Sequence, residues 1–205
     1  MGVNLLTLSK LKLDSSLNII DRFDEYINGT RMGTFDNTTL SRFKKYNIEI
    51  TNQDVIQNHV LPYETGSFDI VTIIDIIEHF PKHPLDVFAE IFRILKKDGF
   101  LVIIGPNSFG ISEVIKFLSG RHPYIKFENW IKENYYSHYR EYSEKEYRKL
   151  AEISGFTIKK SFKSSDIFLT RGLAKKKNSI FSLIVWAFLK IFSPFHSIVT
   201  VVSQK

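Results

Sequence analysis

The chain contains no cysteine in its 205 residues. A disulfide framework and any cysteine-ligated metal are thereby excluded, and a reducing compartment fits. Long apolar runs are also missing. The densest, Ile180 to Phe192, spans thirteen positions before Ser193-Pro194, whereas a membrane-spanning helix needs roughly 20 apolar residues. Extending it to Val202 would have to absorb Lys190, Pro194 and His196. No secretory signal is read at the N-terminus. The run Val3 to Leu8 is short, Lys10 and Lys12 follow it, and no small-residue cleavage site comes after. Asn28-Gly-Thr30 and Asn37-Thr-Thr39 are therefore chance matches to the glycosylation pattern. Internal repeats and low-complexity segments are absent.

What is present describes a folded chain. Hydrophobic residues make up 43% and charged residues 24%, enough for one domain over residues 1–205 and short of two. The net charge is +6. The lysines are dispersed apart from a short cluster at Lys175–Lys177, so nucleic acid is not the expected partner.

Along the chain, Val3 to Leu8 reads as a strand, and Ser9 to Leu40 shows no clear period. Ile48 to Ile50 suits a brief strand. After turn chemistry at Glu64-Thr-Gly-Ser67, Phe68 to Ile74 is apolar and β-branched, as in a strand covered on both faces of a parallel sheet. Pro84 suits the first position of a helix. Phe88, Ile91, Phe92 and Leu95 form one apolar helical face. Lys96 and Lys97 are expected in the last turn and Asp98-Gly99 at the helix end, with glycine left-handed. Phe100 to Ile104 is a second buried strand, which completes a right-handed βαβ unit. A helix is expected over Ser112 to Leu118. A loop rich in Tyr, Trp and His follows, from His122 to Tyr142. Ser143-x-x-Glu146 is a capping box, opening a helix from Lys145 to Ser154 that stops at Gly155. Phe156 to Phe162 alternates as a strand, and Ile198 to Val202 is the last one.

Several of these segments together resemble a known family. They are Leu61-Pro-Tyr-Glu-Thr-Gly-Ser-Phe-Asp-Ile70, Asp75-Ile-Ile-Glu-His79, Glu90-Ile-Phe-Arg-Ile-Leu-Lys-Lys-Asp-Gly99, Pro106-Asn107, His138-Tyr-Arg-Glu-Tyr-Ser143 and Ser154-Gly-Phe156. In this order they are similar to class I methyltransferases, the family of the ubiquinone and menaquinone methylases and of many modifiers of surface polysaccharides and lipid-linked sugars. The resemblance covers about Ile48 to Phe162. It implies an α/β fold, a doubly wound, mainly parallel sheet of Rossmann-like type, with S-adenosylmethionine as cofactor and a small-molecule, sugar or lipid-linked acceptor. In such folds the ligand lies beyond the carboxyl ends of the strands.

The resemblance also assigns residues. Asp54 matches the acid near the adenine amino group and Val55 the apolar surface beside the ring, while a loop aspartate capping a turn is the alternative for Asp54. Ile74 and Asp75 match the segment along the cofactor's methionine part; Asp75 also suits the N-cap of a short helix through Glu78. His79 stands near the expected reacting methyl, where an imidazole can take a proton from an acceptor hydroxyl, or it simply caps the turn before Pro81. His79 and His83 have the i, i+4 spacing of a metal pair, but Pro81 and Pro84 interrupt the helix such a pair needs, and no metal is expected. His138, Arg140 and Tyr142 fall on the acceptor side. Tyr124, Trp130, Tyr135 and Tyr136 add aromatic surface for stacking on an acceptor or for packing the loop.

One family feature is not found. The first strand normally carries a turn of the form D-x-G-x-G-x-G, in which glycine allows the backbone to approach the cofactor closely. Val3 to Leu8 is similar to the family's second strand, and the acid that ends that strand is also not found near Ser9 or Lys10. A chain shortened upstream, or a non-catalytic relative that acts by binding a partner, would account for this. In either case the sheet would lack its first strand and expose an edge. Residues 175–205 are read as an apolar helix followed by the last strand. The rival is an interfacial helix at 175–195, which would make a cytoplasmic protein membrane-peripheral.

Overall fold

The computed structural model describes residues 16–21, 26–27, 30–31, 41, 43–122, 131, 138–164 and 196–205. The strand at Val3 to Leu8, the aromatic residues Tyr124, Trp130, Tyr135 and Tyr136, and the segments Lys175–Lys177 and Ile180 to Phe192 lie outside them. The chain divides into two compact units, residues 1–61 with 133–136, and residues 62–132 with 137–205.

In the first unit, β1 (Leu17–Asp21) and β4 (Ile48–Asn52) pair in parallel. Ile19, Phe43 and Ile48 form a buried core there, with Leu17, Tyr46 and Ile50 packed on it. A short hairpin, β2 (Tyr26–Ile27) and β3 (Thr30–Arg31), accompanies them. The expected strand at Ile48 is thus present, two residues longer than its apolar pattern. β1 was hidden inside a stretch of mixed composition. It ends on an acid, Asp21.

The second unit is built on four strands in the order β5-β6-β8-β7. They are β5 (Phe68–Ile74), β6 (Leu95–Pro106), β7 (Thr157–Ser164) and β8 (Ile198–Gln204). β5 and β6 are parallel, while β8 runs antiparallel to both β6 and β7. Helix α1 (Leu85–Ile94) is the crossover of the βαβ unit; α2 (Ile111–Leu118) and α3 (Glu144–Ile153) follow. Val87, Phe88, Ile91 and Ile94 of α1 are buried, as are Leu101 and Ile103 of β6, Tyr147 and Ala151 of α3, and Val199 and Val201 of β8.

Three local expectations change. β5 is not covered on both faces: Ile73 is buried, but Ile70 is exposed. Among the described residues β5 pairs on one side only, with β6. Second, α1 ends at Ile94, and Leu95 is already extended at ψ 138°. Leu95 pairs with Phe68 in the sheet, and Lys96 forms an ion pair with Asp69 of β5 at 2.9 Å. Lys96 and Lys97 therefore belong to β6, because sheet pairing outweighs the helix dipole. Third, the left-handed residue in that turn is Asp98, at φ +65°. Gly99 is required for closeness instead: a Cβ there would lie 2.9 Å from the Lys96 carbonyl oxygen and 3.1 Å from that of Asp69.

The C-terminal half follows local chemistry closely. Ser143 Oγ accepts the Glu146 N–H at 3.3 Å, and the Glu146 carboxylate accepts the Ser143 N–H at 2.8 Å. Gly155 stops α3 in the left-handed region at φ +92°. Replacing Ser143 with alanine should cost about 1 kcal/mol, lowering the melting temperature by roughly 2–4 °C. An unchanged melting temperature would show that the box adds nothing to the cooperative unit.

Candidate active site

The carboxyl end of β5 sets the geometry. The ladder's last bond there is the Asp75 N–H to the Ile104 carbonyl, at 3.0 Å. Asp75 then turns left-handed, φ +50°, a conformation that aspartate tolerates better than most residues. This bend throws the chain out of the sheet and directly into a single 3-10 turn, Ile77–His79. Asp75 does not cap that turn; Ile76 holds the cap position, without a side-chain bond. Ile74 is half-buried at the strand end and Asp75 is exposed.

The turn buries Glu78 and half-buries His79. Glu78 is 1% exposed, and among the described residues neither of its carboxylate oxygens has a hydrogen-bond partner from another residue. Its backbone carbonyl accepts the N–H groups of Tyr139 at 2.8 Å and Arg140 at 3.3 Å, which pins residues 138–142 against the strand end. His138 is thereby set beside the turn. Its ring meets that of His79 edge-on, with centroids 4.8 Å apart. Nδ1 of His138 lies 2.8 Å from Glu141 Oε1, and Nε2 lies 4.0 Å from Glu78 Oε1. Glu141 is itself buried, and among the described residues its second oxygen has no hydrogen-bond partner.

Burial pushes the Glu78 carboxyl up to about 7; its own backbone N–H and the charge of His138 oppose this, while the negative charges of Asp75 and Glu141 push in the same direction as burial. His138 is also raised, first by its bond to Glu141 and then by the charge of Glu78, against the effect of burial. The cluster therefore holds protons near neutral pH that separated side chains would divide differently.

Arg140 and Tyr142 face the adjoining element. Arg140 pairs with Glu146 of the capping box and stands 5.4 Å over the Tyr142 ring. Tyr142 is buried, bridges to Asn107 at the end of β6, and packs on Tyr147 at 5.5 Å. The structure thus brings Asp75, His79 and His138 together at one strand end, and ties Arg140 and Tyr142 to the base of α3. In the first unit, Asp54 follows β4, and its Oδ1 accepts the Ile56 N–H at 2.8 Å and that of Gln57 at 3.3 Å. The turn-capping role is present there, and Val55 is half-buried in the same turn. Sequence reasoning missed three acids: Glu78 as more than a turn residue, Glu141, and Asp21 at the end of β1. The His138-x-x-Glu141 spacing was the available signal for the second.

Comparison with known proteins agrees with this architecture. Residues 31–103 match the family profile of a methyltransferase domain. No curated protein sequence matches the chain. Among solved structures, a methyltransferase from Methanosarcina mazei dependent on S-adenosylmethionine is 16% identical with a TM-score of 0.58, covering 99% of this chain and 86% of its own. A SAM-dependent methyltransferase from Aquifex aeolicus is 14% identical with a TM-score of 0.55, covering 99% of this chain and 76% of its own. A Haloferax volcanii protein solved in complex with the Trm112 methyltransferase activator gives 14% and 0.56, covering 99% and 79%. At these identities the likeness establishes the fold: it is the Rossmann-like fold of class I methyltransferases.

Proposed function

We propose that the protein transfers a methyl group from S-adenosylmethionine to a small-molecule, sugar or lipid-linked acceptor. The observation that carries this reading is the end of β5. There, inside the segment matching a methyltransferase domain, Asp75 bends the chain so that His79 meets His138 and a buried carboxylate.

S-adenosylmethionine supplies a methyl carried on a sulfonium centre, together with an adenine amino group and a ribose diol. A carboxylate-rich donor set suits those groups, because carboxylates accept N–H and O–H and offset positive charge. In the first unit, Asp54 is the candidate for the adenine amino group with Val55 beside the ring, and Asp21 at the end of β1 suits the diol. In the second unit, Ile74 and Asp75 line the methionine part. His79 accepts the proton an acceptor hydroxyl must lose, and His138 stands on the acceptor side with Arg140 and Tyr142. In-line displacement depends on alignment, which the short turn from Asp75 to His79 serves.

A second reading, a non-catalytic scaffold that binds a partner, is favoured by one fact: the 205 residues contain no D-x-G-x-G-x-G turn. Titration calorimetry with S-adenosylhomocysteine separates the two. Saturable heat, weakened at least ~10-fold by Asp54→Ala or Asp75→Ala through loss of a charge-assisted bond, is expected for the enzyme. No heat at millimolar ligand assigns the chain to the scaffold reading.

A further inference from the structure

Among the described residues, Glu78, His79 and His138 place one carboxylate oxygen and two imidazole nitrogens within 4.8 Å of one another. We propose that this cluster is a site for one divalent first-row transition ion of the zinc or cobalt class, with the Glu78 carboxylate and the imidazoles of His79 and His138 as ligands.

Three observations converge on it. First, Glu78 is a carboxylate 1% exposed whose two oxygens have, among the described residues, no hydrogen-bond partner from another residue. A buried carboxylate in that condition is costly unless a cation or a proton compensates it. Second, His138 is already held as metal-binding histidines are. Its Nδ1 lies 2.8 Å from the buried Glu141 carboxylate; with the Nδ1 proton donated there, an ion that displaces the proton from Nε2 meets the arrangement that orients and strengthens a histidine ligand. Third, that Nε2 stands 4.0 Å from Glu78 Oε1. The gap is too long for a hydrogen bond, and a closure of about 0.6 Å brings it to the ~3.4 Å between two tetrahedral ligand atoms bonded at about 2.1 Å to one ion. The widest pair in the cluster, 4.8 Å, must close by about 1.4 Å to reach the ~3.4 Å that separates ligand atoms around one tetrahedral ion. His79 is only half-buried and sits at the end of its turn, where its ring can supply that movement.

The ligand set of two imidazoles and one carboxylate suits zinc, cobalt and iron rather than magnesium or calcium, which take oxygen ligands. Exposed Asp75 adds negative charge at the strand end, which further favours a cation. Three protein ligands leave a position open, as in catalytic rather than closed structural sites. This extends the methyl-transfer reading and rests on it at one point only: an acceptor hydroxyl at the open position would be acidified by the ion. His79 would then serve as a ligand, and the hydroxyl proton would pass to solvent water instead of to its ring.

The test is a titration of the chelator-treated full chain with Co²⁺ followed by visible absorption, and with Zn²⁺ followed by calorimetry. One equivalent of either ion should bind, with ligand-field bands of a low-coordinate nitrogen and oxygen site for cobalt. Glu78→Gln and His138→Ala should each weaken Zn²⁺ binding at least ~100-fold, and Glu141→Gln by roughly 10–100-fold. His83→Ala should leave it unchanged. Glu78→Gln keeps shape and removes charge, so its circular dichroism serves as the folding control. No uptake of either ion at equimolar concentration in the hundred-micromolar range overturns the site. So does uptake that Glu78→Gln and His138→Ala leave intact. The calorimetry with S-adenosylhomocysteine runs separately: cofactor binding without ion uptake overturns the ion site alone, and ion uptake without cofactor binding overturns the methyltransferase reading alone.

Discussion

Exchanging Glu78 for glutamine should stabilise the chelator-treated protein above pH 7, by up to about 3 kcal/mol. The Glu78 carboxyl is raised from 4.5 to about 7, chiefly by burial and then by Asp75 and Glu141. A raised carboxyl keeps its proton in the folded chain while the unfolded chain releases it. The stability tied to that proton is complete below pH 4.5, drains away between 4.5 and about 7, and stays lost at higher pH. Glutamine does not titrate, so its advantage over the native side chain grows through that window and then levels off. His138 returns part of the gain. It faces Glu78, Glu141 and Asp75, and its own raised pKa means that it binds a proton more readily when folded; glutamine removes one of the charges that favour this. Thermal melts at pH 4, 6 and 8 in the presence of chelator would show the pattern: similar values at pH 4 and a gain of several degrees at pH 8. Equal melting temperatures at pH 8, or an equally large gain at pH 4, would mean that the Glu78 carboxyl is not held protonated.

The second large effect lies at Gly105 in β6. A Cβ there would sit 2.3 Å from the Tyr147 hydroxyl oxygen and 3.0 Å from Cζ. Tyr147 is fully buried, and its hydroxyl donates to the Pro106 carbonyl at 3.0 Å. The ring has no solvent side into which to swing, so Gly105→Ala must displace it and break that bond. Overpacking costs about 1–3 kcal/mol and the lost hydrogen bond about 1 kcal/mol. A fall in melting temperature of roughly 5–12 °C is expected. Tyr147→Phe alone should cost about 1 kcal/mol, and in combination it should recover part of the loss, since the clashing oxygen is then absent. Strictly additive single and double variants would show that the two positions do not meet as described.

The legible parts of this protein were those written in neighbouring residues. Ser143 and Glu146 announced their capping box three positions apart, Gly155 its stop, and the β-branched run from Phe68 to Ile74 its strand. The end of α1 was misread because the competing interaction was distant. Leu95 left the helix to pair with Phe68, and Lys96 turned to Asp69, neither of which a local pattern reveals. β1 went unnoticed because only the short run around Ile19 and Ile20 is apolar, and its partner lies at Ile48–Asn52. The site shows the same division. His79 was visible as a histidine at a strand end. Its company was not, because His138 lies about sixty residues on and is held beside the turn through the bonds of the Tyr139 and Arg140 N–H groups to the Glu78 carbonyl. For Asp54 the local capping role is what the geometry displays, and the adenine role rests on the resemblance alone.

The position of β8 bears on how the chain is made. β6 and β7 do not pair with each other; β8 lies between them, and Phe100 finds its partner in Gln204. A ribosome releases residues in order, so β6 must wait with one edge unsatisfied while roughly a hundred further residues are synthesised, about 5–20 s at ordinary elongation rates. During that interval the βαβ half can assemble, whereas the β7 side cannot join it. An open strand edge attracts other strands, so the newborn chain is most exposed to aggregation just before β8 arrives. Slowing translation between the codons of β7 and β8 should reduce soluble yield more than slowing it ahead of β5.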